Sequence, residues 1–145
     1  MSTVKSDNRQ FVHNSLWRIA QEKHFNNNFK YSISYSNRYY AFIISDQEDV
    51  HIDIEKDMPL NFKFNENISH IQDRKLWTIK ECASKVCKHG IISILKDIVL
   101  CHVTNIGRYE VWKVTLDKKW YPRRIFIFYR FIFRKIHLSF SIDII

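Results

Sequence analysis

The chain has 145 residues, 46% of them hydrophobic and 15% aromatic, enough to bury one sizeable core and too few for two, because domains commonly need about 100 residues or more. Two Gly, two Pro, no low-complexity stretch and no repeat with a period of roughly 20 to 50 residues argue against linkers and solenoids. A formal charge of +8 and a pI near 9.5 favour an acidic partner, yet Lys and Arg are spread along the chain without the dense run of a nucleic-acid tail, so nucleic acid is not the expected partner.

Residues 1–22 show no defined element. Met1 to Phe11 is polar and lacks the apolar region of a signal peptide, and Cys82, Cys87 and Cys101 are odd in number and unpatterned. Both features suit reduced, buried thiols in a cytoplasmic protein. Cys87, His89, Cys101 and His102 match the spacing of no common zinc module.

Tyr31 to Tyr35 and Tyr39 to Ile44 flank the polar tripeptide Ser36-Asn37-Arg38, which predicts a hairpin. In Val50-His51-Ile52-Asp53-Ile54-Glu55 strict alternation puts Val50, Ile52 and Ile54 on the buried face of a strand and His51, Asp53 and Glu55 side by side on the other. After a loop at Met58-Pro59, Ile68 to Lys88 reads as helix, with Leu76, Ile79, Ala83 and Val86 as its apolar stripe and Gly90 as its stop. Trp77, Glu81, Lys85 and Lys88 fall on a face turned away from that stripe, so they should form an exposed ridge.

The remainder reads as strands: Ile98 to Val103, a turn through Asn105-Ile106-Gly107, Tyr109 to Leu116, Ile125 to Phe133 and Ile136 to Ile144. The aromatic run Ile125 to Phe133 contains Arg130 and is too short to span a bilayer as a helix. The expectation is an α+β fold. One principal helix should lie against a largely antiparallel sheet, in a single domain over residues 1–145 with its core motifs in 50–116.

Alone, a D-x-E strand usually means a solvated sheet face, and a Glu81–Lys85 pair at i,i+4 is the commonest surface ion pair. Together and in order, Ile52-Asp53-Ile54-Glu55 and Trp77-Thr78-Ile79-Lys80-Glu81-Cys82-Ala83-Ser84-Lys85 closely resemble the 4'-phosphopantetheinyl transferases. That family shows a G-[IV]-D-[IVL]-E strand followed by a helix with [FW]-[SCT]-x-K-E-[AS]-x-x-K. The resemblance extends loosely over about residues 23 to 116 and retains every charged residue of the paired motifs.

The resemblance implies transfer of the phosphopantetheine arm of coenzyme A to a serine of an acidic acyl or peptidyl carrier protein, with Mg²⁺ as cofactor. It implies Asp53, Glu55 and Glu81 as metal ligands, Lys85 as a phosphate contact with Lys80 as a second, and Glu81 or a metal-bound water as the base. Mg²⁺ prefers carboxylate and phosphate oxygens, which accounts for the residue types.

Upstream, Phe29 to Ser36 resembles the family's F-N-[IV]-S-H-S strand, which grips the adenosine 3'-phosphate; Ser34 matches and Tyr35 replaces the His. Glu22-Lys23-His24-Phe25 resembles the G-K-P-[FY] element, implying Lys23 as another phosphate contact.

His51 replaces the motif Gly, and Asp53 and Glu81 lie only 28 positions apart (81 minus 53). The long members consist of two halves and the short ones homotrimerise, so the resemblance implies an oligomer that rebuilds the reduced first half. Two other readings compete. One is a non-catalytic family member that binds carrier protein or coenzyme A; the other is a basic RNA- or membrane-surface module.

Overall fold

The computed structural model describes residues 6–60 and 70–142. Its elements in chain order are helix α1 (Ser6–Glu22), strands β1 (Lys30–Ser36), β2 (Tyr39–Ser45) and β3 (Val50–Lys56), helix α2 (His70–Cys87), a short helical turn α3 (Ile91–Ile94) running into a 3₁₀ turn (Leu95–Asp97), and strands β4 (Val99–Ile106), β5 (Tyr109–Thr115), β6 (Ile125–Ile132) and β7 (Ile136–Ile142). The architecture is α+β, as expected. β1 and β2 form an antiparallel hairpin, and the other five strands form an antiparallel sheet in the order β3-β7-β6-β5-β4. Among the described residues no helix is long and apolar enough to cross a membrane.

α2 covers one face of the large sheet. Ile79, Cys82, Ala83 and Cys87 of the helix pack with Val114, Ile125, Ile127 and Tyr129 of β5 and β6. Period 2 along the strands and period 3.6 along the helix bring these residues together.

β3 stands at the sheet margin, with its open edge lying against β1. An uncovered edge leaves a row of N–H groups without partners. Here alternate serines of β1 fill the row. The hydroxyls of Ser32, Ser34 and Ser36 accept from the amides of Ile52, Ile54 and Lys56 at 3.1, 3.1 and 2.9 Å. Serine is short enough for β1 to approach closely, and its oxygen takes the place of a strand carbonyl.

The opposite face of the hairpin carries Ile33, Phe42 and Ile44, which pack with Phe29 and with Leu16 and Ala20 of α1. Residues 1–22, read from sequence as lacking an element, thus include a 17-residue helix. Val12, Leu16 and Ala20 recur at i, i+4 and i+8 and all are buried, a stripe narrow enough to be masked by the polar residues between them.

Asn37 takes the left-handed conformation (φ 58°) that a tight turn between β1 and β2 requires, and Gly107 (φ 59°) does the same between β4 and β5. Cys82 and Cys87 are buried as expected; Cys101 is exposed, because β4 is the other margin of the sheet and turns most of its side chains to solvent. The expected start of the principal helix at Ile68 lies outside the described residues.

Candidate functional site

His51, Asp53 and Glu55 alternate along β3 on the face that α2 covers, as their antiparallel partners Ser141, Ser139 and His137 do on β7. The ridge of α2 carrying Glu81 and Lys85 lies over this margin, half-buried, rather than facing solvent as an exposed ridge. Both faces of β3 are therefore covered. Asp53, expected on the open side, is only 6% exposed.

Lys85 reaches past Asp53, 3.4 Å from Oδ1, and donates to the Ile52 carbonyl at 2.6 Å. Arg74, itself buried, lies 3.4 Å from Glu55 Oε2 and donates to the carbonyls of Met58 and Pro59 at 2.9 and 3.1 Å, tying the chain after β3 to α2. The Trp77 side chain hydrogen-bonds Glu55. Trp77 thus anchors Glu55 as well as packing.

Burial holds the carboxyl of Asp53 well above the usual range against the pull of Lys85, and the charges of Glu55 and Glu81 raise it further. Burial likewise raises Glu55, offset by Arg74 and Trp77, and raises Glu81, which also feels the charge of Glu55. Three carboxyl groups share one poorly solvated place. The half-buried Lys80 ammonium is pushed down by its own desolvation.

One observation distinguishes this cluster from ordinary ion pairs. Asp53 Oδ2 is buried with no hydrogen-bond partner, and so is the hydroxyl of Ser139, its cross-strand partner. Buried polar atoms are nearly always satisfied, so such a pair marks a place fitted to something other than packing.

The donor type suits Mg²⁺, since the group offers carboxylate oxygens, one of them orphaned. The cluster is nevertheless not closed. Among the described residues no three His, Cys, Asp or Glu side chains are arranged to hold a metal ion. Asp53 leans on Lys85 and Glu55 on Arg74.

The remaining candidates stand apart from this group. Ser34 is buried, with its hydroxyl engaged by the Ile54 amide, and Lys23 is exposed just past the end of α1. The Tyr35 hydroxyl is buried without a partner, and Arg9 lies over its ring at 5.5 Å.

Sequence reasoning missed Arg74 and Ser139. Arg74 stands at i−7 from Glu81 on the same side of α2, a spacing that could have linked it to Glu81. Ser139 has no local signal, because its place beside Asp53 is set by strand order. Comparison with protein-family models finds no match, and comparison with the curated proteins finds none either.

Proposed function

We propose that this chain transfers the 4'-phosphopantetheine group of coenzyme A to a serine of an apo carrier protein. The observation that carries the reading is the convergence of Asp53, Glu55, Glu81 and Lys85, from a strand and a helix separated in sequence, into one cluster in which all three carboxyls are raised. Solvated surface carboxylates would not be raised together in this way.

In the proposed reaction the serine hydroxyl of the carrier attacks the phosphorus bearing the pantetheine arm. A P–O bond of the pyrophosphate breaks and adenosine 3',5'-bisphosphate leaves. Glu81 takes the serine proton, a role suited to a carboxylate whose affinity for protons is raised by burial. Lys85, held above β3 by the Ile52 carbonyl, meets the charge that collects on the leaving phosphate. Asp53, Glu55 and Glu81 would hold Mg²⁺ only once they draw together and the first two part from Lys85 and Arg74, and the bound ion would supply charge neutralisation for the pyrophosphate. The +8 charge suits an acidic carrier, and the resemblance implies a homo-oligomer.

A second reading, binding of carrier protein or coenzyme A without transfer, is favoured by the cations Lys85 and Arg74 already seated on Asp53 and Glu55. Incubation with coenzyme A, Mg²⁺ and an apo carrier separates the two. A carrier that gains the mass of the phosphopantetheine group supports transfer. Saturable binding of coenzyme A with no gain in mass supports the second reading.

A further inference from the structure

β6 and β7 are joined by Phe133-Arg134-Lys135, a loop closed where the Lys135 amide donates to the Ile132 carbonyl at 3.0 Å. Phe133 and Arg134 both take the left-handed conformation, at φ 51° and 53°. Such positions favour Gly, Asn or Asp, because a β-carbon crowds the backbone there. A bulky side chain in this conformation is an outlier that costs stability, and strain of this kind gathers at functional sites.

Phe133 is 88% exposed, so its ring gains almost nothing from the fold in return for the strain. Asn would suit the turn better and would lose no packing. We infer that this end of the sheet docks on an anionic phospholipid surface, with the Phe133 ring inserted among the headgroups.

Three segments meet here. The Ser36 hydroxyl accepts from the Lys56 amide at 2.9 Å and the Asp57 amide donates to the Lys135 carbonyl at 2.7 Å, which sets the β1–β2 turn, the chain after β3 and the β6–β7 loop side by side. Together they present Arg38, Lys56, Arg134 and Lys135, all exposed. Asp57, between Lys56 and Met58, is turned inward onto His137 Nε2 at 2.9 Å. The outer surface of this end is therefore cationic.

Its centre is apolar. Met58 is 51% exposed and Tyr40 43%. A groove of about 250 Å³ lies beside the tip, lined by Tyr39, Tyr40, Ile54, Phe133 and Leu138 with Lys135 as the charged residue of its lining. An apolar tip ringed by Lys and Arg matches the layering of a membrane interface, where phosphates lie above the first methylenes of the acyl chains. A nucleic-acid strand would instead call for a row of rings on which successive bases stack, and here one ring projects beyond the rest.

Sedimentation of the full chain with vesicles tests the inference, using phosphatidylcholine alone and an equimolar mixture with phosphatidylserine. Binding to the mixed vesicles is expected, with little to phosphatidylcholine alone and release in about 1 M salt. Phe133→Asn should weaken it about 10-fold or more and Arg134→Glu about 5-fold or more. Two controls lie near the opposite end of the sheet, past the end of α2, where Ile92 is 77% exposed and Lys96 is exposed. Ile92→Asn and Lys96→Glu should bind as wild type does.

Thermal melting of Phe133→Asn supplies the second readout. A melting temperature equal to or above that of wild type, together with lost binding, supports the inference, because it separates attachment from folding. A lower melting temperature with lost binding would make Phe133 a folding residue and overturns it. Equal vesicle binding by wild type and Phe133→Asn overturns it too, as does equal loss in Ile92→Asn or no binding to either vesicle. A dimer in the absence of lipid that Phe133→Asn dissolves would assign the tip to a second copy of the chain, and capture of single-stranded RNA through Phe133 and Arg134 without vesicle binding would assign it to nucleic acid.

Discussion

Two buried polar groups lie side by side beneath α2, on neighbouring strands, and they are built on opposite principles. In the first, His137 of β7, fully buried, is bracketed by the Tyr129 hydroxyl at 2.6 Å from Nδ1 and Asp57 Oδ1 at 2.9 Å from Nε2. Burial keeps the imidazole neutral by pushing its pKa down against the pull of Asp57. A neutral ring with its proton on Nε2 donates to Asp57 and accepts from Tyr129, so both ring nitrogens are satisfied. Nearby, Lys75 holds both oxygens of Glu110 at 3.1 and 3.2 Å, and Glu110 accepts from the Trp112 indole.

The second group is Asp53, Glu55 and Glu81, where like charges crowd together, two cations serve three acids and one oxygen has no partner. A network with all its bonds made specifies a fold. One with unmet demand is poised to bind or react, and stability is lower for it.

The comparison is broken most directly at Glu81. Glu81→Gln keeps the shape and removes the proposed base, so the proposed transfer should fall by about 100-fold or more, the usual weight of a general base. Heat stability should stay or rise slightly. Turnover equal to wild type in the carrier-mass assay would remove Glu81 from the reaction.

In the saturated group the same kind of change should act on stability alone. His137→Phe leaves the Tyr129 hydroxyl and an Asp57 oxygen without this partner, at about 1–3 kcal/mol for each buried group so stranded. Urea unfolding should show a loss of about 2–4 kcal/mol near neutral pH.

The loss should shrink in acid. A neutral buried histidine that can take a proton only on unfolding costs wild type stability as the pH falls below about 6.5, and the phenylalanine variant lacks that penalty. A loss that instead grows between pH 8 and pH 5 would mean that His137 is charged in the fold.

Which of these features the sequence displays follows from the range of the interactions. β3 and α2 are legible because alternation and helical spacing are local, and within a few residues they place Asp53 and Glu55 on one face and Glu81 and Lys85 on another. That the two faces meet is a tertiary fact, legible only through the resemblance of the paired motifs. Arg74 on Glu55 and Ser139 beside Asp53 join residues 19 and 86 positions apart (74 minus 55, 139 minus 53), beyond any periodicity. The serines of β1 are the instructive case. Their alternation is plain in the sequence, while their acceptor role depends on β3 being a margin, which strand order alone decides.

Ser34 sharpens the comparison at a smaller scale. Ser34→Ala strands the buried Ile54 amide, at about 1–3 kcal/mol, and should lower the melting temperature by several degrees. Affinity for adenosine 3',5'-bisphosphate should not change. Lost affinity with full stability would return Ser34 to the phosphate-binding role that the resemblance implies.

The smallest effect, and the one with the unusual sign, is expected at Asp53. Asn has the shape of Asp and carries no charge, so the desolvation that raises the Asp53 carboxyl does not act on it. Lys85, a third exposed, can turn its ammonium to water. Asp53→Asn should therefore unfold at slightly higher urea than wild type near pH 7.

The pH dependence identifies the cause. Asp53 is raised in the fold, so in wild type it favours folding below its unfolded pKa of about 3.9, and this contribution is lost as the pH climbs through the folded value. Asn does not titrate. The advantage of the variant should be greatest above the folded pKa and should narrow toward pH 4. A variant less stable than wild type at pH 7, with the gap closing in acid, would show instead that the Lys85 pair outweighs the burial of Asp53, and that this carboxylate holds the fold together in the manner of the His137 network.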